Sequence, residues 1–183
     1  MLAFVRWLEA TWWSTALHES IWAYALVESV HVLALCLFVG VAVLWDLRLL
    51  RLVLRDVPVS ELMARLMPWI VAGFVVMVVT GVLLFVGIPV RSYQNVFFRA
   101  KVVMLLLAGA NAWIFHSFVG RRVAEWDVAP VPPRAARAAG AVSLCLWVAI
   151  IFAGRMIAYN WFDCDQPLSD VVSALAGCTD EVR

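Results

Sequence analysis

Four long apolar runs, separated by connections that hold most of the arginines, constrain this chain more than any other feature. They extend from about Ile21 to Trp45, Met67 to Val90, Phe97 to Val119 and Ala138 to Tyr159. Each is long enough to cross ~30 Å of hydrocarbon as a helix rising ~1.5 Å per residue. A helix also satisfies its own backbone groups, which lipid demands of any spanning segment. Pro68 is expected in the first turn of the second span, where its missing N–H costs little.

Composition agrees with this reading. Hydrophobic residues make up 65% of the chain and charged residues 15%, whereas a soluble domain is about half apolar and a quarter charged. The surplus apolar surface is expected to face lipid. The predicted fold is therefore all-α, an integral-membrane four-helix bundle over residues 1–160 followed by a periplasmic tail over 161–183. With a formal net charge of +1 and no long basic run, nothing points to a nucleic-acid partner.

The first residues do not form a secretory signal, because Arg6 and Glu9 interrupt any apolar core. Phe4, Trp7, Leu8, Trp12 and Trp13 set against Arg6, Glu9 and Thr11 fit a short interfacial helix, or an early start to the first span.

Arginines set the expected orientation. The first connection holds Arg48, Arg51, Arg55 and Arg65, and the third holds Arg121, Arg122, Arg134 and Arg137, whereas the second holds Arg91. The positive-inside rule makes the first and third connections cytoplasmic and both termini periplasmic, in a bacterial inner membrane. Tyr24, Tyr93, Tyr159 and Trp161 are then expected to form an outer aromatic belt, with Trp45, Trp69 and Trp126 as its inner counterpart. Cys164 and Cys178, in a short segment facing an oxidising compartment, are expected to form a disulfide. Cys36 and Cys145 lie within spans and read as small hydrophobes.

Ionisable residues inside spans are costly and call for a partner or a cavity. Glu28, Arg99, Lys101 and Arg155 fall at comparable depth on three spans, which suggests one internal cluster. It reads either as a buried ion pair of Glu28 with Arg155 or Lys101 that sets helix register, or as a pocket for an anionic or quinone-like group. Arg99 and Lys101 could equally reach lipid headgroups. His31 shares a helix face with Glu28. A di-iron site built on Glu-x-x-His is excluded, since there is one copy and Asp46 lies ~27 Å farther along the helix.

Haem b held by His31 and His116 is disfavoured, because their depths differ by ~13 Å while axial nitrogens lie ~4 Å apart. His31 with Met77 and Met104 offers soft ligands for haem iron or copper, against the plainer reading of His31 as a hydrogen-bonding core residue. Asn111 and His116 are expected to bond between helices, and Gly73, Gly81, Gly109 and Ala110 to permit close approach. No G-x-S-x-G, nucleotide loop or H-E-x-x-H motif occurs, which leans away from an enzyme.

The run His18-Glu19-Ser20 with Trp22, Glu28 and His31, then Gly40 and Asp46-Leu47-Arg48-Leu49-Leu50, resembles an uncharacterised bacterial family of four-span inner-membrane proteins. Pro68-Trp69, Gly73-Phe74, Thr80-Gly81, Asn95 to Lys101 and Gly154-Arg155 extend the resemblance over nearly the whole chain. It implies the four-span fold and no particular activity. More remotely, His31 followed by the close-packing Gly40 is similar to the CopD-like membrane domain of copper-resistance proteins, which implies copper handling.

Three functions therefore compete. One is a non-enzymatic membrane subunit that binds a cofactor or ligand, either haem b or a quinone-like group. The second is CopD-like copper handling or transport. The third is a structural subunit of a membrane complex, whose partners would be the lipid bilayer and either a second copy or other subunits.

Overall fold

The computed structural model of the chain describes residues 1–127, 129, 131–159, 162, 164 and 167–178. Every regular element among them is helical. Two short helices, α1 (Leu2–Glu9) and α2 (Trp12–Glu19), precede the long α3 (Ala23–Leu49) and α4 (Val59–Gly87). A short α5 (Pro89–Tyr93) leads into α6 (Val96–Ile114), which runs on through a π-helical turn (Phe115–Val119) and a 3-10 turn (Gly120–Arg122) into α7 (Val123–Trp126). α8 (Arg134–Met156) and the short α9 (Asp170–Ala176) complete the order.

Four of these helical stretches are long and apolar enough to cross a membrane: Ala23–Leu49, Val59–Gly87, Val96–Trp126 and Arg134–Met156. Large apolar side chains on them stand open, among them Leu33 at 70% and Leu106 at 69% exposure. That is the surface a multi-pass membrane protein presents.

The second span differs from expectation at its start. Pro68 lies inside α4 instead of opening it. The helix extends upstream because its first turn has its own anchors, buried Val59 and Leu62 and a carboxylate at its N-terminus described below. The proline cannot donate the hydrogen bond of its own turn, a loss that membrane helices tolerate.

The residues divide into two compact units. The first comprises Met1–His31, Val79–Val103 and Ile150–Arg183. Within it α1 packs on α5, with Val5 buried. Ser14 of α2, 1% exposed, donates to the Val86 carbonyl at 2.7 Å. Ser20 caps α3 by accepting from the Ala23 N–H at 3.1 Å, and Asn95 caps α6 by accepting from the N–H groups of Phe97 and Phe98 at 3.0 and 3.1 Å. Phe85 stacks on Phe98. The expected single interfacial helix is thus a pair, α1 and α2, with its indoles exposed.

The second unit comprises Val32–Val78 and Met104–Ala149. Phe38 of α3 meets Phe74 of α4 and Trp147 of α8, and Trp45 meets Phe115 edge-on. A methyl on Gly73 would come within 3.0 Å of the Phe38 Cβ, and one on Gly140 within 3.1 Å of the Asp46 carbonyl, so glycine sets both approaches. Gly40 and Gly109 have open space around them and do not play the close-packing part expected of them. Asn111 makes its interhelical bond, donating to the Ala139 carbonyl at 3.0 Å. His116, exposed on the π-helical turn, makes none among the described residues.

Leu49, Val59, Phe115, Trp126 and Ala136 form the buried apolar cluster of this unit, with Trp45 packed against it. Trp126 is therefore buried in the protein and Trp45 half-buried, whereas Trp69, the third residue expected with them, is exposed. On the other side of the expected belt, Tyr24 and Tyr93 are half-buried, Tyr159 is exposed, and Trp161 lies outside the described residues.

Candidate functional site

The predicted cluster belongs to the first unit, where its members have different fates. Tyr24 and His31, seven residues apart, lie on one stripe of α3, and this stripe faces α4. A methyl on Gly87 would stand 2.8 Å from the Tyr24 ring, and one on Gly81 would stand 3.4 Å from the His31 ring. Next to Gly81, buried Thr80 places its Oγ1 2.7 Å from His31 Nδ1. That hydrogen bond fixes the imidazole plane and leaves Nε2 as its free ring nitrogen.

Lys101 of α6 is half-buried. Its Nζ packs against Gly154 of α8, where an added methyl would sit 3.3 Å from it. The amine is close enough to His31 for their charges to interact. The structure thus places Lys101 within electrostatic range of His31, with Thr80 and Gly81 beside the imidazole and Gly154 beside the amine.

Glu28 does not join them. It is exposed, and among the described residues it forms no ion pair with Arg155 or Lys101. Arg155 is exposed and reaches along its own helix to Tyr159, with hydroxyl contact at 3.4 Å and its guanidinium 5.3 Å from the ring centroid. The expected buried ion pair is replaced by two separate surface side chains.

Arg99 is taken up by the C-terminal segment. Its Nε donates to the Tyr93 carbonyl at 2.8 Å, its Nη1 donates to the Leu175 carbonyl at 2.6 Å, and its guanidinium lies 4.5 Å from the Tyr93 ring centroid. A cation at the last carbonyls of α9 is favourable. Gly177 ends α9 at φ 71°, with N–H bonds back to α9 carbonyls, and Cys178 follows it into the disulfide with Cys164. The predicted pairing of these two cysteines is thus present. The acidic residues Asp163, Asp165, Asp180 and Glu181 lie outside the described residues.

Cys36 and Cys145 are free and exposed on their helices. Met77 and Met104 belong to the second unit and His31 to the first. Among the described residues, no three His, Cys, Asp or Glu side chains gather as a metal ion would require. His18 and Glu19 are exposed at the end of α2.

The most buried charged side chains among the described residues lie in the second unit, and the sequence reading did not single them out. Arg48, 4% exposed, directs Nε and Nη2 to the Val57 carbonyl at 3.0 and 2.7 Å. Asp127, just past α7, accepts from the Ser60 N–H at 2.8 Å and from the Ser60 hydroxyl, and so caps α4 from a distant part of the chain. Slight burial works to raise the Asp127 pKa, but these donors, the Val59 N–H and the Arg48 charge hold it below the usual carboxylate value. Asp46, 3% exposed, interacts with Ser143 of α8, and its Oδ2 has no hydrogen-bond partner. The signal for these residues was the Asp46-Leu47-Arg48 run at the end of an apolar stretch, where arginine was counted only as loop charge.

Residues 4–160 match the model of a family of unknown function (DUF6644). The chain belongs to this family. No curated protein and no solved structure matches it. The family match agrees with the expected membership in an uncharacterised family, and it does not show the expected similarity to the CopD-like domain.

Proposed function

We propose that this family member is a non-enzymatic ligand-binding subunit of a bacterial inner membrane, with its site at His31 and Lys101. The ligand that suits the site is a lipophilic molecule with carbonyl oxygens, such as a quinone head group. The observation that carries the reading is the His31–Thr80 hydrogen bond. It orients a ring nitrogen within a membrane-spanning helix, beside a lysine ammonium held against Gly154. An imidazole nitrogen and an ammonium so placed suit the oxygens of such a head group, and burial strengthens hydrogen bonds. Glu28, Arg99 and Arg155 are left out of this site, since each is exposed or bonded elsewhere.

The arginines of the first and third connections and the Cys164–Cys178 bridge support an orientation with both termini on the periplasmic side. The open apolar faces of the spans support the lipid bilayer as the principal partner.

The test is binding of a short-tailed benzoquinone to the purified protein in detergent, followed by quenching of its tryptophan fluorescence. His31→Ala and Lys101→Ala should each weaken binding about tenfold, the equivalent of about 1.4 kcal/mol. Thr80→Val should weaken it less. Absence of binding, or unchanged affinity in both alanine variants, would overturn the reading. An absorption spectrum and metal analysis of the same sample read the rivals: a Soret band would favour haem b, and stoichiometric copper would favour His31, Met77 and Met104 as copper ligands.

A further inference from the structure

Asp46 is a carboxyl group within a helix long and apolar enough to span a membrane, and it is 3% exposed. Ser143 of α8 interacts with it, and Oδ2 has no hydrogen-bond partner among the described residues. Its own backbone carbonyl accepts the Leu50 N–H, and Gly140 holds α8 close against it.

The ionisable groups of the surrounding helices are engaged elsewhere or exposed. On α3, Arg48 is turned to the Val57 carbonyl. On α4, Glu61 and Arg65 pair with each other at 2.6 Å. His116, after α6, and Arg134 and Arg137 of α8 are exposed. Among the described residues, no salt bridge involves the Asp46 carboxyl.

An ionised carboxylate buried without a cation or a full set of donors is too costly to persist, and such a group is neutralised instead. A metal ion would need several ligands, and among the described residues no three His, Cys, Asp or Glu side chains gather here. A proton needs no further ligand. With a proton on one oxygen, the other is a neutral carbonyl, for which the lack of a donor is a small defect.

We infer that Asp46 is a proton-binding site of the second unit, with Ser143 as its hydrogen-bonding neighbour. The reaction is reversible addition of one proton to the carboxylate, with no electron transfer. The inference stands apart from the His31 and Lys101 reading, since it concerns other residues and another ligand.

Infrared spectra of the full-length protein in detergent at neutral pH test it. The wild type should show a protonated-carboxyl carbonyl band that shifts in heavy water and is missing from Asp46→Asn. Ser143→Ala should move that band without removing it. In the wild type, an apolar carbodiimide, which modifies protonated carboxyls, should label Asp46, as located by peptide mass mapping. This second readout does not depend on any variant folding. Loss of labelling on adding sodium would mean a bound metal cation and overturn the inference. So would the absence of both the band and the label at neutral pH.

Discussion

The two compact units handle charge in opposite ways. The first contains the ionisable residues that stand out in the sequence, Glu28, His31, Arg99, Lys101 and Arg155, yet leaves all of them exposed or half-buried. The second buries two charged residues that did not stand out in the sequence, Asp46 and Arg48, almost completely. Ionisable residues in an apolar run are thus poor guides to depth. What decides depth is the face of the helix they occupy and the room that small residues, such as Gly140, leave opposite.

The largest effect that would sharpen this contrast is at Arg48. Arg48→Ala removes two charged hydrogen bonds to a backbone carbonyl and should destabilise the protein by about 2 to 3 kcal/mol. Thermal unfolding in detergent reads it. A loss below that of the exposed Arg155→Ala variant would erase the distinction between the units.

Helix ends supply the next comparison. α3 and α9 end in the same pattern of backbone bonds, Arg51 and Leu52 N–H to the Arg48 and Leu47 carbonyls, and Gly177 and Cys178 N–H to the Ala174 and Ser173 carbonyls. The left-handed position is Gly177 at φ 71° in one and Arg51 at φ 61° in the other. Arg51→Gly should therefore stabilise by about 1 kcal/mol, because the strain of a side chain at positive φ is relieved. Gly177→Ala should destabilise the α9 segment by at least about 1 kcal/mol, since a methyl there would also stand 2.5 Å from Arg99 Nη2. Unfolding midpoints for the first, and limited proteolysis of the C-terminal segment for the second, check the opposite signs.

The four spans were legible because length and continuous apolarity fix them with no knowledge of neighbours. The Cys164–Cys178 bridge was legible because two cysteines share a short segment. The Glu28 pairing was not, since 3.6-residue periodicity cannot be phased when a helix is apolar on every side and any face can turn inward. The same difficulty hid Asp46 and made Trp126 look like a belt residue. Asp127 was hidden for another reason. Its partner Ser60 is 67 positions away, a pairing that only the fold supplies.

Acid sensitivity gives a smaller effect. The Asp127 carboxyl is held below the usual carboxylate value, so its contribution is complete at neutral pH and disappears as pH falls through that lowered value. Asp127→Asn should flatten this acid limb of stability and lower the midpoint at neutral pH by the equivalent of about 1 kcal/mol, the worth of a helix cap. Unfolding followed at stepped pH for both proteins measures it. An unchanged acid limb would show that the cap does not hold the carboxyl ionised.

The smallest expected effects are at Glu28 and Arg155. Glu28→Gln and Arg155→Gln, alone or together, should stay within about 0.5 kcal/mol of the parent, with no coupling between them. Coupling above that level in a double-mutant cycle would restore the ion pair and make the first unit resemble the second.

Because Asp127 caps α4 from beyond α7, the first turn of α4 is made long before the residue that completes it. A growing chain emerges from its N-terminus, so the Ser60 and Val59 amides must be served by water or lipid headgroups until more than sixty further residues have been added. The second span consequently enters the membrane with an open end, and it is closed only when the third has arrived.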